Sequence, residues 1–422
     1  MHSPKVLILE DNPFQLMALH QMLNANQVFD VLTAQCVDSA MSSLAHRGPV
    51  DIAICDLQME GCDGLSLISH LAASGQADAV VILSSADASV LNGAAQLARQ
   101  QGLDVLGVVQ KPASANCIGE LLGRWIRDTS HVPQDDSAMF SSRGGRRPLS
   151  PGPLVNCREY SSQWKAYFQP KVRGQGQLAG VEALARWQHP TQGLLNPGQF
   201  LDALEKAGLI PALTWHMLDA ALELSRDVLN VSGCALPVAV NISPVMLEQP
   251  DFVQRLLSML ERYALCPHVL TLEVVEQSAG QLAVAPFESL LRLRMAGCRL
   301  SIDDFGTGAS NIRRLLDMPF SELKIPAEFV NGLSEDSRKS AVVDGALVMA
   351  RQMQLDVVVE GVETQADYEA LLLLGDPIIQ GYFIARPMPR DQLLDWLHQA
   401  GHYPDPLLPR RAISPDHAPV NR

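Results

Sequence analysis

The chain has 422 residues, 47% hydrophobic and 18% charged, with 46 acidic against 32 basic residues for a formal charge of −14. That length accommodates two or three domains with full cores. The acidic balance argues against DNA or RNA as a partner, because such binding rests on Lys and Arg neutralising phosphates; a small phosphorylated ligand is compatible if metal ions or local cations offset its charge. The eight cysteines are scattered without a CxxC pair or a Cys/His cluster, and Cys55 and Cys298 lie in apolar stretches, as expected of reduced thiols. The opening "MHSPKVLILEDN" lacks a basic segment before its apolar run, so no signal peptide is expected. No apolar run approaches the roughly 18 residues of a membrane span, so no membrane association is expected and the location is expected to be cytoplasmic.

Residues 5–127 alternate short apolar runs ("KVLIL", "VFDVLTA", "VDIAIC", "AVVILS", "VLGVVQ") with amphipathic stretches such as "PFQLMALHQMLNAN". Five β/α repeats of this kind predict a doubly wound parallel sheet, in which ligands sit beyond the carboxyl ends of the strands. Glu10 and Asp11 close the first run, Asp56 the third, Ser85 the fourth and Lys111 the fifth. Acids that converge in this way suggest a Mg²⁺ site, with Asp56 as phosphoryl acceptor and Ser85 and Lys111 as partners of its oxygens.

The stretches "LILEDN", "AICDLQMEGCDG", "LSSA" and "VQKP" resemble the receiver domain of two-component response regulators. The resemblance implies a flavodoxin-like (βα)₅ domain over residues 1–127. It makes Glu10 and Asp11 the Mg²⁺ pocket, Asp56 the phosphoacceptor, Ser85 the switch hydroxyl and Lys111 the phosphate-pairing lysine. It also implies a cis bond before Pro112 and a sensor histidine kinase as phosphodonor. Val108 stands where many receivers carry a switch aromatic. Residues 128–157 are polar, rich in Ser, Gly and Pro, and read as a linker; residues 403–422 read as a Pro-rich tail.

Between 158 and 402, eight strand candidates alternate with helical stretches: "AYFQPKV", "GVEALARW", "PVAVNIS", "LTLEVVE", "CRLSIDDFG", "SELKIP", "LDVVVEGVE" and "IIQGYFIA". Eight such units match a (β/α)₈ TIM-like barrel, whose site gathers at the carboxyl ends of its strands. Polar residues fall at these ends: Gln169, Glu182, Asn241, Glu273 with Glu276, Asp303 with Asp304, Lys324, Glu360 with Glu363, and Gln380. Like charges at close range destabilise a fold unless cations offset them. Carboxylates and one Asn suit Mg²⁺ or Mn²⁺ rather than zinc. Two such ions about 3.5–4 Å apart suit in-line displacement at phosphorus, with Asp303 bridging, Asp304 on the second ion and Lys324 orienting water or neutralising charge.

"EALARW", "VNIS", "LEVVE", "IDDFGTG", "LKI", "VVEGVE" and "QGYFIARPM" follow one another in the order of the EAL family of cyclic di-GMP phosphodiesterases, which this segment resembles over its whole length. The resemblance implies that Glu182, Asn241, Glu273 and Asp303 bind one metal and that Asp304 serves the other. It makes Glu360 a metal ligand or general base, Lys324 a water-positioning residue, Gln380 their supporting partner and Glu276 the anchor of the loop after the paired aspartates. Gln169, Leu184, Arg186 and Glu363 fall to the substrate-binding set, Arg186 pairing with phosphate. The expected activity is hydrolysis of cyclic di-GMP to linear pGpG, modulated by phosphorylation, in a homo-oligomer. Two departures from the family pattern stand out. Ala309, Ser310, Asn311 and Ile312 replace Tyr-Ser-Ser-Leu after "DDFGTG", and Pro326 replaces an aspartate after "LKI". Proline removes a carboxylate and a backbone donor. The alternative expectation is therefore a weak or inactive barrel that acts as a cyclic di-GMP receptor or an interaction module.

Overall fold

The computed structural model of the chain describes residues 4–59, 62–128, 162–174, 176–275, 284–306 and 311–400. Glu276, Ala309, Ser310, the Pro-rich tail and all of the expected linker except Asp128 lie outside them; Asp128 ends the helix Ala115–Asp128. The chain divides into two compact units, one holding an open sheet and the other a closed barrel.

The open sheet comprises β1 (Val6–Leu9), β2 (Val31–Ala34), β3 (Val50–Asp56), β4 (Ala77–Ser84) and β5 (Asp104–Gln110), all parallel, in the order β2-β1-β3-β4-β5. Every side chain of β1 is buried, as a parallel strand covered on both faces requires. The order reverses between β1 and β3, so the carboxyl ends of those two strands flank a crevice. Asn12 stops β1 and caps the next helix, Pro13–Ala25, by accepting the backbone N–H groups of Phe14 and Gln15. Glu10 and Asp11 are thereby left at the strand tip. A two-residue antiparallel ladder, Gln58–Met59 with Cys62–Asp63, follows β3 and was not legible as a periodic run.

The barrel is closed by β6 (Trp164–Val172), β7 (Leu178–His189), β8 (Val238–Ile242), β9 (Leu270–Val275), β10 (Arg299–Asp303), β11 (Glu322–Ile325), β12 (Asp356–Val359) and β13 (Ile378–Ile379). From β7 to β13 neighbours run parallel, but β6 is antiparallel to both β7 and β13. The expected site at eight carboxyl ends is corrected accordingly: Gln169 lies in the middle of β6, opposite Glu182 of β7. The reason is the connection. Only residues 173–177 separate β6 from β7, a hairpin length, whereas parallel neighbours need a crossover of a dozen residues or more. The last strand is also shorter than "IIQGYFIA" suggested. Gln380 follows it directly, and Gly381–Ala385 form turns held by Phe383 N–H to Val362 O and Ile384 N–H to Gly381 O. Among the described residues no helix is long and apolar enough to cross a membrane.

Gly361 shows how tightly the rim beyond β12 is built. Its φ is +69°, and a Cβ there would stand 2.2 Å from that of Ala327. Gly361→Ala therefore meets both left-handed backbone strain and a clash, and should cost about 1–3 kcal/mol. Urea unfolding should show this as a lower midpoint at unchanged slope.

Candidate active site and receiver pocket

In the open-sheet unit, Glu10 and Asp56 are almost completely buried and converge on one ammonium: Lys111 Nζ lies 2.7 Å from Glu10 Oε2 and 2.7 Å from Asp56 Oδ2. Burial pushes the Glu10 carboxyl upward. Burial opposes the charge on Lys111, but its bonds to Asp56 and Glu10 prevail and hold its pKa above the ordinary lysine value. Carboxylate oxygens of Glu10, Asp11 and Asp56 lie within 4.8 Å of one another, an all-oxygen set suited to a hard cation. Ser85 reaches Asp56 through Gln58. Its Oγ donates to Gln58 Oε1 at 2.8 Å, while the Gln58 N–H donates to Asp56 Oδ1 at 3.0 Å. Gln58 was not anticipated; its position two residues beyond the acceptor aspartate was the available signal. The Lys111–Pro112 bond is cis, as expected, and Val108 is exposed.

In the barrel, Lys324 of β11 is the hub. Its Nζ, fully buried, stands 2.6 Å from Glu360 Oε1, 2.9 Å from Glu273 Oε2, 3.2 Å from Asp303 Oδ1 and 3.6 Å from Glu182 Oε1. Asn241 of β8 donates Nδ2 to Glu182 Oε1 at 3.0 Å and to Glu273 Oε2 at 3.3 Å. Gln380 donates to Glu182 Oε2 at 2.6 Å and to Gln169 Oε1 at 3.2 Å, and Gln169 donates to the Ala385 carbonyl. Eight of the expected residues thus form one connected network.

Asp304 joins them by an irregularity. Consecutive strand residues face opposite sides, so Asp303 and Asp304 could not both face the site from a regular β10. Asp304 instead adopts a left-handed φ of +57°, a conformation that Asp tolerates, and its N–H donates to Asp303 Oδ1 at 3.0 Å. Carboxylate oxygens of Asp303, Asp304 and Glu360 consequently lie within 4.8 Å of one another. The Phe305 N–H donates to the Lys324 carbonyl, tying this corner to β11.

The electrostatics show what the network lacks. Burial, then the neighbouring Glu273 charge, push Glu182 up to about 8. Burial also raises Glu360, and burial with the Asp303 charge raises Asp304. Glu273 alone goes the other way: burial opposes its charge, but Lys171 and Lys324 together hold it down at about 2. The carboxylates outnumber the ammonium groups among them, and oxygen donors without imidazole or thiolate fit hard divalent cations.

Lys171, Glu322 and Arg299 were missed. Lys171 Nζ lies 2.8 Å from Glu273 Oε1 and 3.9 Å from Glu322 Oε1. Arg299 follows at 3.3 Å from Glu322 and 2.5 Å from Asp356. The signal was period-2 alternation: Gln169 and Lys171, Arg299 and Asp303, and Glu322 and Lys324 each share a strand face.

The substrate-binding expectations are less connected. Arg186 sits over the Tyr167 ring at 5.6 Å and donates to the Ala185 carbonyl; Leu184 is half-buried and Glu363 exposed. The structure leaves these three outside the hydrogen-bonded network described above.

Comparisons with known proteins agree with this architecture. Residues 6–122 match the response regulator receiver domain and residues 160–387 the EAL domain. The chain is 34% identical to the cyclic di-GMP phosphodiesterase RocR of Pseudomonas aeruginosa, over 94% of this chain and 99% of that protein. It is 42% identical to the bifunctional diguanylate cyclase/cyclic di-GMP phosphodiesterase MucR of the same organism, over 54% of this chain and 33% of MucR. The solved PaMucR phosphodiesterase in complex with c-di-GMP superposes with a TM-score of 0.53 at 40% identity, covering 56% of this chain and 97% of that one.

The charge imbalance yields a test. Lys324→Met leaves Glu182, Glu273, Asp303 and Glu360 without their shared ammonium, which should cost about 3–5 kcal/mol in chelator. Millimolar Mg²⁺ should restore much of that loss and stabilise this variant more than the wild type, as read by thermal unfolding.

Proposed function

We propose, from the premise that this chain belongs to the EAL-domain family and carries an N-terminal response regulator receiver domain, that it hydrolyses cyclic di-GMP to linear 5′-pGpG under the control of phosphorylation at Asp56. The observation that carries this reading is the convergence of Glu182, Asn241, Glu273, Asp303 and Glu360 around Lys324 at the open end of the barrel. The match to RocR over nearly the whole of both chains supports it.

Glu182, Asn241, Glu273 and Asp303 would hold one Mg²⁺ or Mn²⁺, and Asp303, Asp304 and Glu360 a second. Such a pair supplies a polarised phosphoryl oxygen, an activated water and charge stabilisation of the leaving oxygen. The side chains have separate tasks. Gln380, braced by Gln169, fixes the plane of the Glu182 carboxylate, and Asn241 spaces Glu182 from Glu273. Lys324 orients the attacking water or offsets charge developing on the phosphoryl oxygens, and Glu360, 2.6 Å from it, is placed to accept a proton. Arg186 would pair with a substrate phosphate; Leu184 and Glu363 would line the nucleotide's path, and Glu276 would anchor the loop after the aspartates.

At the receiver, Asp56 accepts the phosphoryl group from a sensor histidine kinase and Lys111 and Ser85 partner its oxygens, while Glu10 and Asp11 would hold a Mg²⁺ that offsets the phosphoryl charge. With Val108 exposed in place of an aromatic, the signal leaves the pocket by a route other than ring rotation. A homo-oligomer is the assembly in which we place this control.

The test is chromatography of nucleotide products with Mg²⁺ or Mn²⁺. Wild type should yield pGpG, Glu182→Ala should lose at least about 100-fold, and phosphodonor treatment should change the wild-type rate but not that of Asp56→Asn. A folded wild type that forms no linear product sinks the enzymatic reading.

A second reading, a receptor that binds cyclic di-GMP without turning it over, is favoured by Pro326. This residue is the buried N-cap of the short helix Ala327–Val330, and its side chain makes no capping bond. An aspartate there would supply one. If the proline limits a slow enzyme, Pro326→Asp should raise turnover several-fold. Unchanged turnover alongside tight nucleotide binding would favour the receptor.

A further inference from the structure

We propose that Lys171 is a positioning residue for Glu273, acting from within the barrel so that one carboxylate oxygen is presented to the metal-binding face; this rests on the assignment of Glu273 as a ligand. Glu273 is completely buried, and its two oxygens take different donors. Oε1 receives Lys171 Nζ at 2.8 Å, whereas Oε2 receives Lys324 Nζ at 2.9 Å and Asn241 Nδ2 at 3.3 Å. The last torsion of a glutamate is broad and roughly two-fold. Without a partner dedicated to one oxygen, the carboxylate plane would be free to turn and either oxygen to meet the face above.

The backbone makes Lys171 suited to this. Because β6 runs antiparallel to its neighbours, its residues descend into the barrel as those of β7 climb. Gln169 lies opposite Glu182, and Lys171, two residues on, lies opposite Gly180, nearer the amino ends of the parallel strands. The reversed strand therefore supports two ligands: Gln169 braces Glu182 through Gln380, and Lys171 braces Glu273 directly.

Lys171 is itself held from below. It lies 3.9 Å from Glu322, which Arg299 pairs at 3.3 Å; Arg299 and Arg173 then meet Asp356 at 2.5 and 3.6 Å. These groups border a cavity of about 460 Å³ at the amino ends of the parallel strands. The ammonium is thus fixed between two acids and is not free to follow Glu273 if that side chain rotates.

Positioning and simple charge compensation predict opposite signs. A buried cation close to a divalent ion repels it, so if Lys171 only balances charge, removing it tightens metal binding. If it positions Glu273, removal weakens binding.

The experiment is Mn²⁺ titration of the full chain followed by the electron paramagnetic resonance of free Mn²⁺, in an Asp11→Asn background that silences the receiver pocket. Lys171→Met should weaken Mn²⁺ binding at the barrel by about tenfold or more. Lys171→Gln, which keeps a neutral donor, should stay within about threefold of the parent. Unchanged or tighter binding by Lys171→Met overturns the proposal. If that variant does not fold, a Lys171→Gln loss of tenfold or more overturns it and retained affinity upholds it. A parent that binds no Mn²⁺ at the barrel overturns it together with the ligand assignment. A parent that binds Mn²⁺ yet forms no pGpG refutes hydrolysis alone and leaves the positioning result standing.

Discussion

One buried ammonium with four carboxylates around it sets the terms for the barrel. Lys324 lies within 3.6 Å of Glu182, Glu273, Asp303 and Glu360, each delivered by a different strand. Bringing these acids together is electrostatically unfavourable, and their placement follows from backbone geometry around the barrel rather than from mutual attraction. Lys324 relieves part of the repulsion; burial first, and then the charge of neighbouring acids, still push Glu182 and Glu360 upward. A site with positive charge missing and oxygen donors in place is prepared for divalent cations. The receiver pocket repeats the scheme at smaller scale, with Lys111 between Glu10 and Asp56.

Below the hub, charge alternates along the barrel interior: Glu273, Lys171, Glu322, Arg299, Asp356, Arg173. Buried ion pairs seldom stabilise a fold more than well-packed apolar side chains would. Their value here lies in orientation, since each group before the terminal Arg173 is held between two partners of opposite sign. The same logic explains the amide relay from Gln169 through Gln380 to Glu182. Catalytic constellations tolerate little misplacement, and this interior holds the upper carboxylates from beneath.

Much of this was legible in the sequence because strand ends carry the chemistry in both folds. The apolar runs located the sheet strands, and the acids that close them marked the two sites. What was not legible depended on three-dimensional exceptions to regular patterns. The reversal of β6 follows from a five-residue connection, a length that reads as a turn without stating direction. Asp304 faces the site only because its backbone turns left-handed. Lys171, Glu322 and Arg299 lie at or below mid-strand, where polar residues are unexpected in a parallel barrel; only their even spacing from Gln169, Lys324 and Asp303 hinted at the interior face. Arg186 and Glu363 were legible by motif alone, and nothing in the hydrogen-bonded network calls for them.

On the proposed function, two divalent cations complete the carboxylate ring. Crystals grown with Mn²⁺ and cyclic di-GMP, measured at the manganese absorption edge, test it most directly. Two anomalous peaks should stand about 3.5–4 Å apart, one against Glu182, Asn241, Glu273 and Asp303 and the other against Asp304 and Glu360. An anomalous map without peaks at this ring, with Lys324 still seated among the carboxylates and the nucleotide bound, would contradict it.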